Sequence, residues 1–228
     1  MKTIIAGAVL LASLPCLAAQ SDYDMAMCRD GYFPDYPGQY ARAKIKASEG
    51  NKAYFYDDDT DKGCPANQAL CQQKAYLIEG DSVLVAQERD GWSCVWYQGK
   101  KSTFVGWLQS GLVEKQATAA PVFRDWLGTW RNGENVITLA QGNNGTLRIK
   151  GRAYWRGGMS SSGEEIVHMG SLSQTARPAS DKLEWGTPAK EFECAGVMRI
   201  TSGHLIVADN NECGGMNVSF SGVYRLQK

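Results

Sequence analysis

Six cysteines set the tightest limit on what this chain can become: Cys28, Cys64, Cys71, Cys94, Cys194 and Cys213. A seventh, Cys16, lies in an N-terminal stretch that reads as a processing segment, residues 1–18. Lys2 gives it a positive start, Ile4 to Leu17 are mostly apolar, and cleavage after Ala18 places small residues at both critical positions. Lipid attachment at Cys16 is disfavoured, because Ser13-Leu14-Pro15 lacks the small residue normally needed before the cysteine. Such a leader delivers the chain to an oxidising compartment, periplasmic or secreted, where disulfides persist. An even count then fits three bridges. Many pairings are possible, and sequence alone does not choose among them. Proximity favours Cys64–Cys71 and Cys194–Cys213, which leaves Cys28–Cys94. The competing reading is a zinc site, but there is no C-x-x-C spacing, and His168 and His204 stand apart from each other and from the cysteines.

Charge excludes more than it suggests. The 24 Lys plus Arg balance 24 Asp plus Glu, and loss of Lys2 with the leader leaves a net charge near −1. Nothing in that balance points to nucleic acid or an anionic membrane as partner. No later run approaches the roughly 18 apolar residues of a membrane span. The 25 glycines and the aromatic residues are spread through short alternating runs, which points to an all-β protein.

Residues 20–40 carry Pro34 and Pro37 and read as an irregular wrap anchored through Cys28. Ala41 to Ser48 fits a short helix or an entering strand equally well. The alternating runs then sharpen: Ala53-Tyr54-Phe55-Tyr56, the acidic loop Asp57 to Gly63, the excursion Cys64 to Cys71, Lys74 to Ile78, Ser82 to Ala86, Trp92 to Tyr97, and Thr103 to Leu108. Residues 116–122 are small and polar and mark a linker. Beyond it, strands are expected at Asn135–Leu139, Thr146–Lys150, Ala153–Trp155, Ile166–Gly170, Lys182–Trp185, Glu191–Ile200 and His204–Ala208. The last is expected from Asn217 to Tyr224, with Val218, Phe220 and Tyr224 on one face and Gly214-Gly215 in the turn before it. About eight strands at this spacing suggest an up-and-down barrel.

The order Tyr76-Leu77-Ile78-x-Gly80-Asp81-x-Val83, Asp90-Gly91-Trp92-x-x-Val95 and Gly106-Trp107-Leu108 resembles bacterial SH3-like (SH3b) domains. The resemblance covers about residues 45–115 within a domain expected at 19–115, and the Cys64/Cys71 pair departs from the generic pattern. Gly128-x-Trp130 resembles the opening of calycin (lipocalin-like) barrels, with Trp130 as the plug at the barrel base, in a second domain expected at 123–228. The ending Cys213-Gly214-Gly215-x-Asn217-Val218-Ser219-Phe220-Ser221-Gly222-Val223-Tyr224 also resembles that of uncharacterised proteobacterial secreted proteins. The expected architecture is therefore an SH3-like small barrel followed by an antiparallel calycin-like barrel, stapled by disulfides.

Candidate chemistry is sparse. Asp57, Asp59 and Asp61 alternate as calcium ligands do, but Lys62 and Gln68 occupy the sixth and twelfth positions of the loop, where Gly and Glu belong. No metal or other cofactor is expected. As clustered carboxylates steer cationic surfaces, Asp57, Asp58, Asp59 and Asp61 are candidate partner contacts; Tyr97, beside Lys100 and Lys101, is a further one. Trp92, Trp96, Tyr97 and Trp107 could form an aromatic platform for peptide or glycan, although core packing accounts for Trp92 and Trp107. Trp126, Trp130, Tyr154, Trp155 and Trp185 could line a barrel cavity. Neither histidine has a catalytic motif around it, Ser160-Ser161-Ser162 is not a nucleophile elbow, and Glu164-Glu165 reads as a solvated pair, so no catalytic residue is expected. By analogy and elimination, the expectation is a non-enzymatic protein that binds and blocks a protein partner, a cell-wall hydrolase or secreted effector, as an inhibitor or immunity protein. The alternatives are an SH3b module that binds peptidoglycan itself, and a barrel that carries a small ligand.

Overall fold

The computed structural model describes residues 27–33, 40–46, 52–187, 190 and 192–227. The expectations for the leader, and for Pro34, Pro37, Ser48 and Glu191, lie outside them. The described protein is nearly all-β, with one seven-stranded sheet and one nearly closed eight-stranded antiparallel barrel.

The first sheet has the order β3-β2-β6-β5-β4-β1-β7. Its strands are β1 (Ala41–Ile45), β2 (Ala53–Tyr56), β3 (Gln72–Leu77), β4 (Ser82–Arg89), β5 (Trp92–Gln98), β6 (Thr103–Gln109) and β7 (Val113–Lys115). The ambiguous stretch after residue 40 is thus a strand, paired to β4 and β7. Five consecutive residues of β5, Trp92 to Trp96, are buried. Strict alternation fails there because both faces of the sheet are covered. Phe55, Val83, Val85, Val95 and Leu108 pack on one side. On the other, Leu84, Trp92, Trp96 and Trp107 share a buried cluster with Cys28 and Phe33 of the N-terminal segment and with Ile206 and Val223 of the barrel. Trp92 and Trp107 are core residues, as packing demanded.

After residues 116–122, one helical turn, α1 (Phe123–Trp126), leads into the barrel. Its strands are β8 (Gly128–Asn132), β9 (Asn135–Gln141), β10 (Leu147–Met159), β11 (Glu165–Ala176), β12 (Lys182–Trp185), β13 (Gly196–Thr201), β14 (His204–Asp209) and β15 (Gly222–Leu226). They form an up-and-down meander in which β15 returns to pair with β8, Leu226 opposite Trp130. The barrel stays open between β11 and β12, which end the strand order. Its interior is filled rather than hollow: Trp126, Trp130, Trp185, Leu139, Phe220 and Tyr224 belong to one buried cluster. Trp130 is 1% exposed and donates its indole N–H to the Trp126 carbonyl at 2.9 Å, which fixes the ring at the start of β8.

Two expected strands are in fact one. Thr146–Lys150 and Ala153–Trp155 fuse into the thirteen-residue β10, because Gly151 does not interrupt pairing. A side chain at 151 would meet the Phe220 ring at 2.7 Å, so the glycine is there for packing and not for a turn. The closing strand is also shorter than expected. Residues 217–221 are not paired as a strand, yet Val218 and Phe220 are fully buried. The Asp209 carboxylate holds this run, accepting from the Ser219 and Ser221 hydroxyls at 2.6 and 3.0 Å and from the Phe220 N–H at 2.8 Å. The serines of the C-terminal motif thereby serve as a clasp.

All three bridges are present: Cys28–Cys94, Cys64–Cys71 and Cys194–Cys213. Among the described residues, no helix is long and apolar enough to cross a membrane.

Where barrel and sheet meet, the Trp96 and His204 rings lie edge to face, 5.4 Å apart. Burial holds the His204 ring below its ordinary value of 6.5, and Arg225 and Arg42 push it lower, against the opposing bond to the Ser202 carbonyl. Above pH 6.5 the ring is neutral whether the chain is folded or not. As pH falls, the unfolded chain takes up this proton first, so stability is drawn down through the folded value. Thermal melts should show an acid-dependent loss beginning below pH 6.5 that is diminished in His204→Gln.

Candidate functional site

The acidic loop is not a uniform exposed patch. Asp58 is 5% exposed, and its carboxylate accepts the Cys28 N–H at 2.8 Å and pairs with Arg29 at 3.3 Å. It fastens the N-terminal segment beside the Cys28–Cys94 bridge. This corrects its expected place on a contact surface. Asp59 caps the 3-10 turn Thr60–Lys62 and pairs with Lys62 at 2.6 Å, which holds its carboxyl below the usual range. Asp57 accepts the N–H of Asp58 at 2.8 Å, and Asp61 is exposed. Two of the four charges are therefore neutralised within the protein. Asp58→Ala should cost about 1–3 kcal/mol, the penalty for a buried donor left unpaired. Asp61→Asn should stay within about 0.5 kcal/mol, as for ordinary surface positions. Urea denaturation of both variants tests the contrast.

Nor do the remaining candidates join that loop. Tyr97 is half-buried and faces Asp81 at 3.5 Å, in a groove of about 380 Å³ shared with Arg42, Trp96 and His204. Burial, then Asp81, raises its phenol. Lys100 and Lys101 are exposed at the β5–β6 turn. The recess beside Asp57 to Asp61 is lined instead by Met27 and Arg29. Among the described residues, no group of three or more His, Cys, Asp or Glu is placed to hold a metal ion.

The feature that stands out was not foreseen as a unit. β9 covers β10 only from Leu147 to Arg152. Beyond that, β10 and β11 continue as a two-stranded ribbon, paired to Arg156–Val167 and again, after an irregularity, at Met159–Glu165. A bare hairpin is marginal in water, and this one is braced at several points. Arg156 reaches Glu134 of the β8–β9 turn through two bonds of 2.7 and 3.0 Å, and Glu165 through a third of 3.0 Å. The Trp155 and His168 rings stack at 5.1 Å, and His168 Nδ1–H donates to the Met216 carbonyl at 2.6 Å. Asn135 accepts the Tyr154 N–H and donates to the Ser219 carbonyl. At Gly157 a side chain would strike the Trp155 ring at 2.7 Å, so glycine lets the indole lie across the ribbon.

What the brace presents is apolar. Met159 is 67% exposed, Met169 66% and Met216 74%; Val167 and Met169 are exposed on one face of β11 and Ile166 on the other. Such a concentration marks an interaction surface, and methionine adapts its shape to a partner. The ribbon ends in a polar tip, where Ser160 and Ser162 hydroxyls bond to each other at 2.8 Å and the Ser160 hydroxyl accepts the Glu164 N–H. Of the five aromatics considered as cavity lining, Trp126, Trp130 and Trp185 fill the core, whereas Tyr154 and Trp155 belong to the ribbon. A readable signal was Ile166-Val167: consecutive apolar residues in a strand put one on each face, which a half-buried barrel strand avoids.

Comparison of the chain with family models, with curated proteins and with solved structures finds no match in any of the three.

Proposed function

We propose that this protein is a periplasmic or secreted, non-enzymatic inhibitor that binds and blocks a cell-wall-degrading enzyme, a lysozyme-type or effector hydrolase, with the β10–β11 ribbon as its contact element. The observation that carries the reading is the braced ribbon with Met159, Val167, Met169 and Met216 exposed. A projecting element fixed before contact loses little entropy on binding, which favours tight association. Three disulfides suit an oxidising compartment. The SH3b resemblance of the first sheet supports placement at the wall, where such enzymes act. A small-ligand carrier is disfavoured by the filled barrel.

The test is inhibition of a panel of purified muramidases and amidases by the mature protein. At least one enzyme should be inhibited, and Met159→Ser, Val167→Ser, Met169→Ser combined should weaken that inhibition at least about tenfold with an unchanged melting temperature, because a few anchors carry most interface energy. If no enzyme is inhibited while the protein sediments with purified sacculi, the inhibitor reading fails and direct peptidoglycan binding replaces it.

A further inference from the structure

The outer wall of the barrel holds a charge arrangement that the inhibitor reading does not use. The register places Arg225 opposite Arg131, Arg131 opposite Val136, and Val136 opposite Arg152, one row across β15, β8, β9 and β10. Along β10, Arg148 and Lys150 share the outward parity of Arg152, with alternate residues about 6.8 Å apart. All five cations are exposed. The other outward positions where these strands and β11 pair up to Arg152 are Thr129, Thr138, Ala140, Ser171, Ser173 and Thr175, followed by Tyr154 opposite Met169, so these paired positions hold no carboxylate. Arg156, further out, is already engaged by Glu134 and Glu165.

A chain with equal numbers of acidic and basic residues has therefore segregated five cations onto one sheet face. Arg131 and Arg225 stand directly opposite each other, an arrangement that opposes sheet formation. Among the described residues, only the Arg131 Nε–H finds a neutral partner, Gln227 at 2.8 Å. Between the cations lies a shallow trough of about 500 Å³, lined by Arg131, Lys150 and Arg152, with Val136, Tyr154 and one carboxylate, Glu134, which Arg156 already holds.

We infer that this face binds an anionic glycan, a polysaccharide strand bearing carboxylate, sulfate or phosphate groups. Repeated cations offer charge-assisted bonds to successive acidic groups, the intervening threonines and serines can bond sugar hydroxyls, and Tyr154 provides a ring face at one end. The occupant is polymeric because the face is open, so each contact is weak and affinity must come from repetition. A protein partner would need an apolar interface centre, and among the five cations only Val136 supplies one, since Met169 and Val167 of the same face lie further out along the ribbon.

The test is titration of the full-length mature protein with labelled polygalacturonate and dextran sulfate, with neutral dextran as control. Binding to at least one acidic polymer, weakened by added salt, is expected. Arg131→Gln, Lys150→Gln, Arg152→Gln combined should lose at least tenfold, while Arg131→Lys, Arg152→Lys retains most affinity because charge dominates. Removal of three other exposed cations, Lys44, Lys46 and Lys74, as glutamines should leave binding unchanged. Equal loss in both glutamine sets, equal binding of neutral dextran, or binding to phosphatidylglycerol vesicles but to neither acidic polymer would overturn the assignment. The ribbon variant should keep full glycan binding, so this result and that of the inhibition assay are independent.

Discussion

Trp130→Ala should destabilise the protein by about 3–5 kcal/mol, the usual range for removing a large aromatic from a packed core. The indole sits at the point where the meander closes, since Leu226 of β15 pairs with this residue of β8. It is 1% exposed, and its N–H holds the carbonyl of Trp126, itself fully buried. Truncation leaves a cavity among side chains that already fill the barrel and strands that buried carbonyl without its donor. Trp130→Phe separates the two effects, because it keeps most of the volume and loses only the hydrogen bond. Its cost should be clearly the smaller. Urea denaturation followed by near-ultraviolet circular dichroism measures both. A loss below about 1 kcal/mol for the alanine variant would mean that the closure does not depend on this ring.

Removing the Cys28–Cys94 bridge should cost about 4 kcal/mol on the loop-entropy account, since the bridge spans 66 residues. Cys64–Cys71 spans only 7, and its removal should cost about 2 kcal/mol on the same account. The order matters more than either value. Cys94 lies within the doubly covered β5, and Cys28 lies in the segment that covers it, so opening this bridge also frees the layer that Asp58 helps to hold. Paired alanine variants compared by equilibrium unfolding give the ranking. Equal losses would show that the covering segment is held by its packing alone.

The bridges were readable from spacing because each candidate pair was either close in sequence or left over. The barrel was readable because glycine-containing turns recur between short apolar runs, although its eight strands are reached with Gly128–Asn132 as an added strand and two expected strands fused in β10. Two things were hidden. Gly151 looks like a break when only local chain preference is considered, and its real reason, the Phe220 ring, comes from a strand far along the chain. Asp58 looks like its neighbours in a run of aspartates, and only the returning N-terminal segment distinguishes it. The ribbon was hidden for the same reason. Its strands look ordinary until it is known how far β9 reaches. Long-range partners decided each case, and a window of neighbouring residues does not contain them.

Pairing of β15 with β8 carries a consequence for how the molecule comes to be made. The first barrel strand waits for almost the last described residues of the chain before it gains its second neighbour. Ile206 and Val223, which cover Leu84 and Trp96, arrive equally late. Contacts this distant in sequence are slow to form because a long loop must close first. A chain made from its N-terminus therefore passes through a stage with all seven strands of the first sheet present and one tryptophan-bearing face not yet covered by Ile206 and Val223. The early bridges Cys28–Cys94 and Cys64–Cys71 lie wholly within that first portion, so they can form before the barrel exists. They are the fastenings available during the wait.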